Sequence, residues 1–448
     1  MKTHSGNVFT YHLASLSILV LLTTLIATTG WPANNLQKLA DKDTDSALSH
    51  GPLLGHVSDQ QAIIWARVKQ AGLYTLRVTT ATASFTRQAQ AQANNDYCLK
   101  WTLNNLQAGT TYHYAILQGS RVLAIGKQFT FTTTRVDQTK PVRLAFGSCA
   151  KEDSESSAVW RRMQLLDPEA VVLLGDTPYI DSVDLKKQRQ RHGEFLGVAD
   201  FQKLFAGRSL YATWDDHDFG RNDTNGNLPG KENSRRAFIE YHANPSYGDG
   251  KEGIYTKFRR GDVEVFLLDT RFFAATEMSP VAPNKPSLLG KKQWHWLLAG
   301  LKASPARFKI LACGMVWNNA VRPGKQDQWV TYVHEREALF KFIGDQSISG
   351  VVLVGGDVHR TRVLSHLSSK TAGYRIPELT TSPIYSGVSE RANQPHPGLV
   401  FDSGTANSFL LLTSDGGGVE AKLKACFMNK AGKTFFQRTY RLSELKKK

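Results

Sequence analysis

Cysteine is scarce in this chain: Cys98, Cys149, Cys313 and Cys426 are the only four in 448 residues, and no two of them stand as CxxC. That excludes a dense disulfide framework and speaks against zinc-ribbon or dithiol redox work, although an exported chain would permit a disulfide. Acidic residues are in deficit as well. The 39 Asp and Glu against 55 Lys and Arg leave a formal charge of +16. Such a surplus favours encounter with anions, whether phosphate esters, nucleic acid or an acidic membrane surface, and selects none of them. Past Trp31 there is no apolar run long enough to span a bilayer. Within residues 1–30, Lys2 supplies a sparse positive start, residues 13–26 are almost wholly apolar, and small residues fill 27–30. This reads as an export signal, placing the protein in the periplasm, outside the cell or at the membrane. An uncleaved membrane anchor stays open, since Trp31-Pro32 follows without a clean small-x-small triplet.

What remains is an ordinary globular chain, 41% hydrophobic, 10% aromatic and 21% charged, long enough for two compact domains, one of them large. Residues 31–50 end in a polar, unpatterned stretch that fits a linker. Over residues 51–135 the pattern is of short alternating runs: AIIWARV at 62–68, LYTLRVTTA at 73–81, YCLKWTLNNL at 97–106, TYHYAILQ at 111–118 and QFTFTTT at 128–134. These are β-branched and aromatic with turns between them, the pattern of a small β-sandwich. The turn and alternating tyrosines of LNNLQAGTTYHYAI resemble the corner of a fibronectin-III-like domain. From residue 140 to 445 the pattern becomes apolar strands alternating with helices. VRLAFGSC, AVVLLGD, LYATWDD, VEVFLLD, FKILAC and VVLVGGD read as buried strands with polar ends, and residues 157–166, 232–242, 291–301 and 334–343 as the helices between them. The strand-like tail from Phe409 is expected to add edge strands. Ligands of layered α/β domains gather beyond the strand ends, so the polar residues there come first.

Three such ends carry chemistry. In GDTPYID (175–181) a strand-end carboxylate, Asp176, can bridge two cations, and Tyr179 can offer a phenolate to a hard trivalent metal; alone, Asp176 could simply cap a turn. TWDDHDFGRND (213–223) concentrates Asp215, Asp216, His217, Asp218 and Asp223, a set that repels itself unless a cation or an arginine neutralises it; the bland alternative is a solvated acidic turn. In VVLVGGDVHRTRV (351–363) an apolar run stops at two glycines, and Asp357 and His359 leave on one side; His359 could equally be a core histidine bonded to a carbonyl.

In the order FGSC, GDTPY, TWDDHDFGRND, LLDTRFF and LVGGDVHRTRV, the chain resembles the alkaline phosphatase D family, the PhoD-like branch of the calcineurin-like metallophosphoesterases, from about Gly51 to the C-terminal strands. The resemblance implies a small β-sandwich followed by a layered α/β/β/α metallophosphoesterase domain. It also implies Fe3+ held by Cys149, Asp176, Tyr179 and His359. A second metal, Ca2+ or another divalent ion, would be held by Asp176, Asp216 and Asp357, with Asn222 a further candidate. Hydrolysis of a phosphate ester would then proceed by in-line attack of a metal-activated hydroxide, with no covalent phosphoenzyme. His217 would protonate the leaving oxygen or bond a non-bridging one, and Arg221 would clamp the phosphate. Two departures stand out. Thr177-Pro178 replaces the family's more usual asparagine and branched aliphatic, restricting the turn to Tyr179. GMVWNNA (314–320) offers no histidine where purple acid phosphatases place a ligand, so that position is unassigned.

The implied activity is that of an alkaline phosphatase or phosphodiesterase. A diesterase acting on phospholipid, teichoic-type polymer or nucleic acid competes with it, as does a catalytically silent anion- or surface-binding protein of the same fold. No obligate protein partner is implied. The basic run KKQRQRH (186–192) reads as a solvated helix face and Trp294 and Trp296 as core. Asp269 and Arg271 of LLDTR are expected to pair with each other at a strand end.

Overall fold

The computed structural model describes residues 47–135, 140–321, 323–416 and 419–448. The export segment expected over residues 1–30 lies outside them. Two sheets open the described chain. Leu48–Val57, Ala62–Val68 and Cys98–Leu103 form one, antiparallel throughout. Gly72–Thr79, Ser84–Ala91, Thr111–Gln118, Arg121–Ala124 and Thr130–Thr132 form the other. Alternate residues of both sheets, among them Ile64, Trp101, Leu76 and Ile116, meet in one buried cluster, the period-two pattern of a β-sandwich. The hydroxyl of Tyr112 accepts a hydrogen bond of 2.8 Å from the amide of Gln107, five residues upstream, which is the corner that the alternating tyrosines suggested. The first strand begins at Leu48, inside the stretch expected to be linker; its two glycines and proline masked it.

The larger part stacks a six-stranded sheet on a seven-stranded one. In the first, Ser209–Thr213, Ala170–Leu174 and Val142–Gly147 run parallel, and Ser408–Ser414, Lys422–Asn429 and Thr434–Arg441 follow antiparallel. The tail therefore does not merely add edges: Ser408–Ser414 lies inside the sheet, bonded to Val142–Gly147, because its fully apolar centre needs cover on both faces. In the second, Val263–Leu267, Phe308–Ala312, Val351–Gly355 and Pro377–Thr380 run parallel. Alternation along single strands sets the layers. Val172 and Leu174 point into the core between the sheets. Val171 and Leu173 point outward onto Trp160 and Met163 of the helix Ser154–Leu166 and onto Phe201 and Phe205. The helices Gly290–Ala303 and Val333–Asp345 pack on the seven-stranded sheet, with Trp294 fully in that core and Trp296 at its margin. The order of layers is α/β/β/α.

The sandwich is bound to this body by polar contacts. Trp65 Nε1 donates to Glu240 O at 2.8 Å, Tyr114 OH to Ala206 O at 2.8 Å, and His56 Nδ1 lies 3.0 Å from Tyr211 OH. The basic run expected to be a solvated face lies on the helix Leu185–Leu196: Lys186, Lys187 and Gln190 are exposed as expected, while others of its side chains are used internally. Arg189 reaches Glu240 at 2.7 Å and Asn94 O at 2.6 Å, and His192 is buried.

Candidate metal centre

The strands of both sheets end at one cleft, and their loops are stitched together by the backbone. Cys149 N bonds to Gly175 O, Ala150 N to Asp176 O, Gly356 N to Gly314 O, and Tyr385 N to Cys149 O. Close approach is built into the glycines. At Gly175 (φ +93°) a Cβ would fall 2.2 Å from Asp215 N, and at Gly356 one would fall 2.7 Å from the Ser148 side chain. Cys149, Asp176, Asp357 and His359 all occupy left-handed backbone, with φ of 56°, 52°, 65° and 51°. That conformation costs roughly 1–2 kcal/mol per residue for most side chains, and non-glycine residues held in it gather at functional sites.

The donors expected from the sequence converge. Cys149 Sγ lies 3.4 Å from Asp176 Oδ2 and 3.2 Å from Ser382 Oγ. Tyr179 OH lies 2.9 Å from His359 Nε2, and Tyr385 OH 3.3 Å from Nδ1 of the same ring; the restricted Thr177-Pro178 turn does not keep the phenol from the site. Donor atoms of Cys149, Asp176 and His359 lie within 4.8 Å of one another, as do those of Asp176, Asp216 and His217. Asp176 belongs to both groups. A cleft of about 100 Å³ is lined by Asp176, His217, Asn222, Lys325, Asp357, Val358 and His359. Asp215, Asp216 and Asp218 are buried at the start of a short helix, Asp216–Phe219, and so are not a solvated acidic turn.

Other expectations change. Arg221 is exposed and does not line the cleft; its backbone amide bonds to Thr224 Oγ1, which turns the loop. Arg271 does not pair with the Asp269 carboxylate. Its guanidinium lies fully buried against Asp215 (Nε to Oδ1 2.6 Å) and Asp327 (3.2 Å), while Asp269 caps the backbone amides of Arg271 and Phe272 and holds Trp214 Nε1 at 2.8 Å. An arginine that deep must satisfy several donors at once, and two carboxylates do this where one short strand-end pair could not. In the 314–320 segment Trp317 N and Asn318 Nδ2 bond to Glu378, at 3.1 and 2.7 Å. The next loop instead sends in Lys325 and Asp327. Lys325 Nζ lies 2.9 Å from Asp357, 2.8 Å from Asp327 and 3.4 Å from Asp223. GKQDQW carries no strand and no apolar run, so nothing local marked it. Asp181, 2.6 Å from His217 Nδ1, stood inside a quoted motif but had no geometry to give it a role.

The electrostatics describe a site short of positive charge. Burial, reinforced by Asp216 and Asp215, pushes the Asp176 carboxyl well above its ordinary range, and its Oδ1 has no hydrogen-bond partner. Burial acts first on Asp327, and with Asp357 raises it to about 7. Burial acts the same way on Asp216, yet Arg271 and His217 hold it at about 2. The Cys149 thiol and the Tyr179 phenol are both pushed up, first by burial, and the His359 imidazole is pushed down by it. A bound cation would offset the burial that raises Asp176, Cys149 and Tyr179, and like burial it favours the neutral His359 ring, the form that can ligate it. An orphaned buried carboxylate oxygen beside a thiol, a phenol and an imidazole therefore fits a metal ion better than it fits packing.

Two stacked sheets flanked by helices, with such donors at the shared strand ends, define an α/β/β/α fold of the metallophosphoesterase type. The family model described as PhoD-like phosphatase matches residues 144–416, more than half of the chain, and that of the PhoD-like phosphatase N-terminal domain matches 33–132. The chain belongs to the PhoD-like phosphatase family. A curated relative, alkaline phosphatase D of Bacillus subtilis (strain 168), is 25% identical over 305 residues, which is 57% of this chain and 52% of the relative. The chain thus spans about half the length of the curated relative it matches. Among solved structures, PhoD superposes with a TM-score of 0.71 at 18% identity, covering 89% of this chain and 91% of that one. A purple acid phosphatase from yellow lupin (Lupinus luteus) seeds superposes with a TM-score of 0.67 at 11% identity, covering 87% and 74%. At these identities the likeness is one of fold.

Proposed function

We propose that this chain hydrolyses phosphate esters at a pair of metal ions that share Asp176. The observation that carries the reading is the place of Asp176, buried, with one oxygen unpartnered, and within ligand-sharing distance of Cys149 and His359 on one side and of Asp216 on the other. Membership of the PhoD-like phosphatase family supports the reaction class. One ion, Fe3+ by donor chemistry, would take Cys149, Asp176, Tyr179 and His359, since thiolate, phenolate and imidazole together suit a trivalent transition metal. The other, Ca2+ or a similar divalent ion, would take the oxygen donors Asp176, Asp216 and Asp357, with Asn222 at the cleft wall. When bound, such ions polarise the phosphoryl oxygens and lower the pKa of an attacking water.

The protein's own residues do the rest. Asp181 engages His217 Nδ1 and so orients the ring, leaving Nε2 to hold a proton for the leaving oxygen. The Tyr179 ring packs against that imidazole, centroids 4.6 Å apart and planes tilted by 52°, and limits its rotation. Lys325 adds positive charge at the cleft wall. Arg221, on the exposed surface, is left the part of meeting the substrate outside the cleft. The surplus of basic residues suits an anionic substrate. The export segment in residues 1–30 would place the reaction outside the cytoplasm; among the described residues no helix is long and apolar enough to cross a membrane.

Turnover of a chromogenic phosphate monoester and its matching diester, measured across alkaline pH with and without chelator, tests the reading. Chelator-sensitive hydrolysis is the expected outcome, and the diester-to-monoester ratio separates a phosphatase from a diesterase. Absence of turnover by fully metallated protein would favour the silent binding protein instead. His217→Ala should lower the rate about 10²–10⁴-fold, the usual range for a general acid, while metal content stays unchanged. Loss of metal with the rate would make His217 a ligand.

A further inference from the structure

Lys325 lines the cleft but is not among the donors that the metal reading assigns. Its side chain is 5% exposed, and its ammonium faces Asp357 at 2.9 Å, Asp327 at 2.8 Å and Asp223 at 3.4 Å. The ammonium donates hydrogen bonds to Asp357 and Asp223 and forms an ion pair with Asp327, so three carboxylates share its one charge. Two of those carboxylates, Asp223 and Asp327, also form a group with Asp216 whose oxygens lie within 4.8 Å of one another, the spacing at which one cation can be shared. Asp216 and Asp327 are in turn held by Arg271. The outer end of the cleft therefore has the donors of a divalent site but is supplied with fixed cations from the chain.

We propose that Lys325 is the resident counter-ion of this outer carboxylate group, standing where a further divalent cation would otherwise bind. It rests on the reading of the cleft as a metal centre. Its consequence is that the centre stops at the ions of the Asp176 site: the outer end is neutralised by a group that cannot dissociate, so divalent ions in solution do not load it. A lysine is suited to this, because its charge is compact and its stem is long enough to come from a loop outside the strand ends. Asp357, gripped on its outer side by Lys325, is held for the Asp176 site and not shared with another ion.

The test is metal stoichiometry of the full chain. Wild type, Lys325→Met and Lys325→Arg are dialysed to equilibrium against saturating Mn2+, and the bound metal per chain is measured by mass spectrometry. Lys325→Met should hold one more Mn2+ than wild type, Lys325→Arg the same number, and adding Asp327→Asn to Lys325→Met should remove the extra ion. An unchanged or smaller count in Lys325→Met would overturn the proposal. If Lys325→Met is too unstable to purify without metal, its thermal midpoint is followed in graded Mn2+ instead. Recovery toward wild type supports the assignment and no recovery at saturating Mn2+ refutes it. The absolute count in wild type tests the Asp176 site separately: wild type binding no ion would defeat the metal centre itself, whereas the difference between wild type and variant reports on Lys325 alone.

Discussion

Arg271 lies at 1% exposure among Asp215, Asp216 and Asp327, and its protonated form is held, against burial, by those carboxylates. Removing one partner of a buried pair leaves an uncompensated charge, which costs about 3–5 kcal/mol. Arg271→Met should therefore lower the unfolding free energy in urea by about that much, and bound metal should shift it only in part, because Asp215 faces the arginine and not the cleft. Arg271→Lys should recover little, since one ammonium cannot span Asp215 and Asp327 as the guanidinium does. The chemistry of most candidate donors was legible: Cys149, Asp176, Tyr179, Asp216, Asp357 and His359 all end apolar runs or sit in short motifs. Asp176, Asp357 and His359 line the cleft, Cys149 and Asp216 come within donor distance of Asp176, and Tyr179 meets His359. The partners of Arg271 were not legible, since Asp215 and Asp327 lie 56 residues from it on either side.

Strand-end loops are the elements on which the site depends, and Gly175 shows how tightly two of them meet. Its φ of +93° and the 2.2 Å approach of an added Cβ to Asp215 N mean that Gly175→Ala must shift either the Asp176 loop or the Asp215–Asp216 loop. Strained backbone of this kind costs of order 1–3 kcal/mol, and the clash adds to it. The expected result is a drop of at least about 2 kcal/mol in urea unfolding together with loss of metal from the purified protein. A stable, fully metallated variant would show that the loops are not braced against each other there. Strands such as Ala170–Leu174 and Val351–Gly355 were readable because an unbroken apolar run has few other fates. Ser84–Ala91, SFTRQAQA, was not: it is a polar edge strand whose apolar content is too low to mark a face. Ser408–Ser414 was readable as a strand but not as an interior one, since neighbours in a sheet are chosen by topology.

Across the whole molecule, the junction of the sandwich with the α/β/β/α body is expected to be a pH-sensitive seam. His56, against Tyr211, and His192, stacked on Tyr241, are both lowered to about 3, chiefly by burial. Unfolded histidine titrates near 6.5, so between pH 6.5 and 3 the unfolded chain binds more protons than the native one. Stability supplied by these neutral rings is present above 6.5 and is lost as pH falls toward 3, at about 2 kcal/mol per histidine by pH 5. His192→Leu should reduce the fall in urea-unfolding free energy between pH 7 and pH 5 by about that amount. A fall equal to that of wild type would place the acid sensitivity elsewhere.

Fold class and the order of two unlike halves follow from local pattern, because strand periodicity and apolar runs are properties of neighbouring residues; the candidate donors stood out at strand ends, and their grouping around a metal came from the family resemblance. The tertiary structure decided which groups neutralise one another. Arg271 turned to Asp215, Trp317 and Asn318 to Glu378, Arg221 to the surface, and Lys325 with Asp327 entered from a loop with no pattern of its own. A buried charge must be met by whatever opposite charge the packing brings within reach, and that choice is made across distances of chain that no local pattern records.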